Sequence, residues 1–113
     1  MAGFALIIPA DGDRPIRMEP FNHDDTLHWL QGLVDGSIET VPCDFARQIA
    51  LLICNEDGRN QGLPMNVRAY VAAPIEYDLI LGDCVIVSRR GERFTGLTRD
   101  NAILISDSVG ARM

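Results

Sequence analysis

The chain has 113 residues, of which 47% are apolar and 23% charged, so it forms a single domain with its own core and is not intrinsically disordered. Ten basic residues, all of them arginines, stand against sixteen acidic ones and leave a net charge of −6. This balance argues against a nucleic-acid-binding protein, because neutralising phosphates requires clustered Lys and Arg.

The N-terminus predicts a β-hairpin. Phe4–Ile8 is a short apolar run, typical of a buried strand. A turn signal follows at Asp11–Asp13, and the alternation of apolar and polar residues over Pro15–Pro20 predicts a second strand with one buried face. The short connection indicates that these two strands pair with each other.

An amphipathic helix is predicted over Thr26–Asp35, where apolar residues recur at helical spacing. Asp24 or Asp25 is expected to act as its N-cap, with a carboxylate that accepts from the first helical N–H groups. Gly36 fits the left-handed position that ends many helices, because glycine has no Cβ to clash there.

Two further strands are predicted after this helix. Ile38–Val41 alternates as a strand, and Pro42 is expected to end it. Ile49–Cys54 is a nearly continuous apolar run, which is typical of a central strand buried on both faces. We therefore expect Leu51 or Leu52 to be fully buried.

The C-terminal half carries weaker signals around one clear strand. A short helix is predicted to start within Leu63–Tyr70, although Pro64 leaves that open. Cys84–Ser88 is the clear strand, Arg89–Arg93 is expected to be a charged loop, and Phe94–Leu97 an edge strand.

This order of elements predicts an α+β domain over residues 1–107, with a mainly antiparallel sheet, an N-terminal hairpin, one amphipathic helix after it and a C-terminal helix. The last helix is expected over Arg99–Ser106, with Thr98 as its N-cap. Residues 108–113 are expected to form a flexible tail. Such a fold class does not decide function.

The three cysteines form no C-x-x-C pair, which is typical of reduced thiols in a cytoplasmic protein. Cys54 and Cys84 lie in apolar strands and are expected to be inert, whereas Cys43, beside Asp44, is expected to be exposed. Phe4–Pro9 is too short for a signal peptide or a membrane span, so no membrane partner is expected.

The segment Asn55–Arg68, called the loop below, is the first candidate functional segment, because ordered loops on a rigid sheet commonly carry binding residues. Its path is shaped by Gly58, Gly62 and Pro64. The candidate binding residues within it are Asn55, Glu56, Asp57, Asn66 and Arg68.

The sequence leaves two interpretations of the loop open. In the first, it is only a connection, and Arg68 forms an internal salt bridge to Glu56 or Asp57. In the second, Asn66 and Arg68 face outward and contact a ligand or partner. If these side chains are structural, the Arg89–Arg93 segment is the next candidate surface.

No metal or cofactor site is predicted. A calcium loop that began at Asn55 would need Glu at its twelfth position, where Asn66 stands. His23 and His28 have no cysteine at zinc-ligand spacing. The sequence contains no phosphate-binding or nucleophile-elbow motif. An enzyme that uses Cys43 or the acidic residues of the loop stays an alternative.

An ordered series of short motifs resembles a small family of domains of unknown function found in bacteriophage, plasmid and other mobile-element genes. The resemblance covers about residues 4–101. One departure concerns the position after the G-L-P-x-N motif, where the family has Arg or Lys and this chain has Val67 before Arg68. The matching segments are Leu27–Leu30, Gly36–Pro42, Asn55–Gly58, Gly62–Asn66, Gly82–Val87 and Gly96–Thr98.

The resemblance implies an accessory role, such as host takeover or antagonism of host defence. We expect a non-enzymatic protein that binds a host protein or a small ligand, with no nucleic-acid partner. The sequence leaves the oligomeric state open, with a homo-oligomer among the alternatives. One alternative is a small hydrolase or transferase. Another is an acidic DNA mimic that blocks restriction enzymes, for which a charge of −6 with ten arginines is weak.

Overall fold

The apolar strands assemble into one antiparallel sheet in the computed structural model, which describes residues 3–45, 48–72 and 80–110. The order across the sheet is β2-β1-β5-β4-β3, with β6 paired to the end of β5. This confirms the α+β class, the N-terminal hairpin and the C-terminal helix. The elements are β1 (Phe4–Ile8), β2 (Arg17–Pro20), α1 (Thr26–Val34), β3 (Ile38–Phe45), β4 (Gln48–Asn55), α2 (Val67–Ala72), β5 (Cys84–Arg90), β6 (Arg93–Thr95) and α3 (Arg99–Gly110).

The central strand, β5, has different partners along its length. On one side it pairs with β4, where Leu52 lies opposite Ile86. On the other side its first half pairs with β1 and its second half with β6. Because β5 has a neighbour on both sides, its residues from Cys84 to Ser88 are all buried.

Helices cover both faces of the sheet. Alternate residues of β5 point to opposite faces, so Ile86 packs with the side chains of α2 and α3, and Val85 packs with those of α1. The neighbouring strand repeats this pattern, with Leu52 on the α2/α3 face and Leu51 on the α1 face. Burial on both faces explains why these strands are continuous apolar runs in the sequence.

Both ends of α1 differ from prediction in detail. Asp25 occupies the N-cap position, but its backbone is left-handed, with φ 51°, and its side chain makes no capping hydrogen bond. At the other end Asp35, not Gly36, takes the left-handed position, with φ 62°. Gly36 is needed for another reason. A Cβ there would lie 2.7 Å from the Nδ2 atom of Asn55.

Two strands, β3 and β5, extend two or more residues beyond their predicted C-terminal ends. β3 continues through Pro42 to Phe45, because it is the last strand in the sheet order, and proline is tolerated on an edge strand. β5 continues to Arg90, so the expected charged loop is a tight hairpin in which Arg90 lies opposite Arg93. Gly91, with φ 62°, fits the first central position of a type II′ turn.

The last helix is also longer than predicted. Thr98 caps it as expected, since its Oγ1 atom accepts from the backbone N–H of Asn101 at 3.2 Å. α3 then runs to Gly110, with Val109 fully buried in the core. The flexible tail was therefore predicted to begin too early, because this apolar contact holds the last turn of the helix.

The inner position of β4 yields a stability prediction. Leu52 is fully buried and Leu51 is 4% exposed. Leu52→Ala should lower the free energy of unfolding by about 2–5 kcal/mol, because it removes core packing and leaves a cavity. Urea denaturation measures this change, and Leu27→Ala at an exposed position should change it by less than about 0.5 kcal/mol. A loss below about 1 kcal/mol in both Leu51→Ala and Leu52→Ala would show a peripheral strand.

Candidate functional site

The loop is held by hydrogen bonds within itself and to neighbouring elements. The backbone N–H of Glu56 donates to the carbonyl of Ser37 at 2.8 Å. Leu63 N–H donates to the carbonyl of Gly58 at 3.0 Å, which closes the turns between them. The exit is fixed at Pro64, whose carbonyl accepts from the N–H of Gly82 at 2.7 Å. The loop therefore has a defined path.

Asn55 anchors the start of the loop and is only 6% exposed. Its Nδ2 atom lies 3.0 Å from the carbonyl oxygens of both Val34 and Asp35, at the C-terminal end of α1. Its Oδ1 atom accepts from the N–H of Asp57 at 2.7 Å. The side chain thus satisfies carbonyls that the end of a helix leaves without an intrahelical partner.

Asn66 anchors the other end and is fully buried. Its Nδ2 atom donates to the carbonyls of Ile8, at 2.8 Å, and Gly82, at 2.9 Å. Its Oδ1 atom accepts from the N–H of Ala69 at 3.0 Å, so Asn66 is the N-cap of α2. Both amide hydrogens and the amide oxygen are engaged inside the protein.

Arg68 is also directed inward, with 8% of its surface exposed. Its Nη2 atom donates to the carbonyls of Pro9, at 2.8 Å, and Asp11, at 3.0 Å. The expectation that Asn66 and Arg68 face outward is therefore wrong. The alternative salt bridge from Arg68 to Glu56 or Asp57 is also not what holds it, because backbone carbonyls after β1 take its hydrogen bonds.

Two of the five candidate binding residues, Glu56 and Asp57, are exposed. Asp57 accepts a hydrogen bond from the side chain of Asn60. Glu56 and Arg59 both line a cleft of about 170 Å³. This cleft contains charges of both signs and does not select one class of ligand.

The described thiols are buried and poorly suited to nucleophilic chemistry. Burial, with a smaller contribution from the Glu39 carboxylate, raises the pKa of Cys54 to about 11. Burial also raises the pKa of Cys84 well above its ordinary value. A thiolate is the reactive form, so both groups stay protonated and inert at neutral pH. The expected exposure of Cys43 falls on a side chain outside the described residues.

The largest of the described cavities lies at the C-terminal end of β5, whereas the loop lies near the start of that strand. It has a volume of about 640 Å³ and is called the arginine groove below. Its lining includes three arginines in an otherwise acidic protein. The residues that line the arginine groove include His23, Arg89, Arg90, Arg93, Phe94 and Thr95.

The hairpin of β5 and β6 positions these arginines on both faces of the sheet. Arg90 and Arg93 lie directly opposite each other, on the face that Ile86 shares with α2 and α3. Arg89 lies on the α1 face, opposite Phe94. All three arginines are exposed.

The positive charge of the groove is not neutralised within the described part of the chain. There Arg17 forms an ion pair with Glu19, and the Nδ1 atom of His28 lies 3.3 Å from a carboxylate oxygen of Asp25. Glu92, in the turn between Arg90 and Arg93, forms none with either guanidinium group. Like charges placed opposite each other across two strands are destabilising. An anion bound between them would remove this repulsion.

Comparison with known protein families identifies the family of this chain. A family model described as a domain of unknown function, DUF3846, matches residues 5–110. The chain belongs to this family. No curated protein and no solved structure matches it.

The DUF3846 match includes both the loop and the arginine groove, and the family description assigns no activity. Among residues 3–45, 48–72 and 80–110, no group of three His, Cys, Asp or Glu side chains is placed to hold a metal ion. No helix in these same ranges is both long and apolar enough to cross a membrane.

One signal for the groove was present in the sequence. Arg89, Arg90 and Arg93 fall within five residues of a chain whose net charge is −6. Interpreted as a loop, this segment had no defined geometry. Pairing across the two-residue turn brings Arg90 and Arg93 together on one face.

The inward placement of Asn66 predicts a large effect of an isosteric change. Asn66→Asp keeps the size and the capping oxygen but turns a carboxylate toward the carbonyls of Ile8 and Gly82. The lost donors leave two buried carbonyls unsatisfied, at about 1–3 kcal/mol each. Urea denaturation of the DUF3846 domain should show this loss, whereas Asn22→Asp at an exposed position should be nearly neutral. Equal stability of the two variants would contradict the structural role of Asn66.

The buried thiols predict a specific labelling pattern. Iodoacetamide should leave Cys54 and Cys84 unmodified in the native DUF3846 domain, label Cys43 and label all three after unfolding in urea, as mass spectrometry would show. Stability should also depend on alkaline pH. Because the folded-state pKa of Cys54 is raised from 9.0 to about 11, its contribution is complete below about pH 9 and is lost as pH rises toward 11. Rapid native labelling of all three cysteines would contradict this picture.

Proposed function

We propose that this DUF3846 domain is a non-enzymatic binding module that holds a negatively charged partner in the arginine groove. The observation that carries the proposal is the exposed Arg90–Arg93 pair, directly opposed across the hairpin and without an ion-pair partner among the described residues. Arg suits this role because its planar guanidinium binds a carboxylate or phosphate through two parallel hydrogen bonds.

The local charge supports this choice of surface. The chain as a whole carries −6 and repels anions at long range. Within the hairpin, three arginines outnumber the single carboxylate of Glu92. Such a local reversal of sign favours an acidic partner that contacts this surface at short range, where screening by salt is weakest.

The loop is a weaker choice for the binding surface. Asn55, Asn66 and Arg68 are engaged with backbone carbonyls and could not reach a partner without breaking those hydrogen bonds. Glu56 and Asp57 remain accessible, but the cleft beside them has mixed charge. A cysteine-dependent hydrolase or transferase is likewise disfavoured at Cys54 and Cys84, whose thiols are buried and protonated.

The biological setting belongs to the same proposal. The ordered motifs resemble those of accessory proteins from bacteriophages, plasmids and other mobile elements. In that setting the anionic partner is a host protein, and binding modulates it or antagonises a host defence. A cytoplasmic location is consistent with three cysteines that form no C-x-x-C pair.

Charge reversal tests the proposed surface. Fluorescence anisotropy with labelled polyglutamate should show saturable binding at low salt, because the arginines attract a polyanion. Arg90→Glu with Arg93→Glu should weaken this binding by about 2 kcal/mol or more, as expected for anchoring arginines. The matched control is Arg14→Glu with Arg59→Glu, which changes the net charge equally at exposed positions outside the groove.

The two double variants separate a site from general electrostatics. The control pair should lose much less affinity than the groove pair, and higher salt should weaken all binding. Equal losses in the two double variants, or no binding of polyglutamate by the unmodified domain, would overturn the arginine groove as the functional surface.

A further inference from the structure

We propose that the partner presents an acidic segment in extended conformation, which pairs as an additional strand with the outer edge of β6. This inference rests on the proposed function of the arginine groove and names the chemistry of its occupant. It is carried by the direction of the backbone groups of β6, by the shape of the groove and by the distribution of its charge.

The direction of the N–H and C=O groups of β6 follows from its pairing with β5. In a two-residue hairpin the closing pair, Arg90 and Arg93, exchanges hydrogen bonds, so the next pair, Arg89 and Phe94, does not. The N–H and C=O of Phe94 therefore point away from β5.

β1 shows the same alternation along its own ladder. Phe4 exchanges hydrogen bonds with Leu97, at 2.8 and 2.7 Å, on the β5 side of β1. Gly3 instead accepts from Phe21 N–H on the β2 side, as the residue before it in an alternating ladder should.

The outer edge of β6 has no strand partner among the described residues. β6 pairs with β5 alone in that part of the chain, and no backbone hydrogen bond there reaches Phe94 from outside the hairpin. An edge with an outward N–H and C=O is a template for an added strand. The arginine groove borders this strand, since all three residues of β6 line it, so a strand added here would contact the groove.

The size of the groove favours a segment of chain over an isolated anion. Its volume of about 640 Å³ falls within the range of roughly 300–1,000 Å³ typical of pockets that enclose whole ligands. A single carboxylate or phosphate would fill only a small part of it. An extended segment would fill more of it and contact His23 as well as the arginines, since all of these residues line it.

The distribution of charge favours an acidic strand. Successive side chains of a strand point to opposite faces. Carboxylates at every second position of the added strand would therefore all lie on one face, the face on which Arg90 and Arg93 oppose each other. A nucleic acid carries a phosphate at every nucleotide and has no comparable alternation of charged and uncharged positions.

Two matched peptides test the added strand. The first is a short alternating Glu-Thr peptide, and the second has the same sequence with every backbone amide N-methylated, which keeps the carboxylates but removes the N–H donors. Binding measured by isothermal titration calorimetry should be weaker by about tenfold or more for the methylated peptide, since the hydrogen bonds to the edge are lost. An alternating Gln-Thr peptide should bind more weakly than the Glu-Thr peptide, because it has no carboxylates to pair with the arginines.

Amide hydrogen exchange locates the bound peptide. The Glu-Thr peptide should slow exchange of the Phe94 amide, which has no acceptor among the residues that the structure describes, while the amide of Leu52 inside the sheet is already protected in both states. Arg90→Gln with Arg93→Gln should abolish the added protection of Phe94. Arg14→Gln with Arg59→Gln should preserve it.

The outcomes distinguish this inference from the proposed function. The added strand is ruled out if binding depends on Arg90 and Arg93 but leaves the Phe94 amide unprotected, or if the methylated and unmethylated peptides bind equally well. Either result would still leave the arginine groove as the binding site. Competition by inorganic phosphate or a single-stranded oligonucleotide at equal carboxylate or phosphate concentration also overturns an acidic peptide as the occupant. If none of these anions binds, both proposals fail.

Discussion

The buried amide of Asn66 is the interaction on which most of the architecture depends. It ties the end of β1, through the carbonyl of Ile8, to the turn before β5, through the carbonyl of Gly82, and it also starts α2 through Ala69. These segments are far apart in the chain and lie on different elements. An amide suits the position because it supplies two donors and one acceptor in a site closed to water.

The other polar residues of the loop follow the same physical rule. The carbonyls of Val34, at the end of α1, and of Pro9, after β1, belong to buried residues, so each needs a hydrogen-bond donor from the protein itself. Asn55 and Arg68 supply the missing donors. Asn55, Asn66 and Arg68 were candidate binding residues for a partner, but their side chains donate to backbone carbonyls of the protein itself. These hydrogen bonds hold the loop in place.

β5 connects this rigid end of the domain to the arginine groove. It starts just after Gly82, beside Asn66, and ends at Arg90, about 20 Å away at the rise of an extended strand. Pairing with β1 and β4 fixes its course from Cys84 to Ser88, and β6 pairs with it from Ser88 to Arg90. The hairpin that follows therefore presents its arginines from an ordered support, which lowers the entropy that binding must overcome.

The sequence by itself determined the elements whose signals are local. The apolar runs specify β1, β4 and the first part of β5, and helical periodicity specifies α1. These patterns predict the folded elements because burial of one or both faces requires apolar residues at regular spacing all along an element. Together they were enough for the α+β class and the antiparallel sheet.

Only the tertiary structure decided where the polar side chains point. The acceptors of Asn66 and Arg68 at the end of β1 lie 57 to 59 residues away in sequence, so no local pattern could reveal them. The same holds for Gly36, whose requirement comes from the packed side chain of Asn55. The opposition of Arg90 and Arg93 likewise exists only once the strands pair. A polar residue takes its role from the unsatisfied group or charge nearest to it in space, and folding decides which group that is.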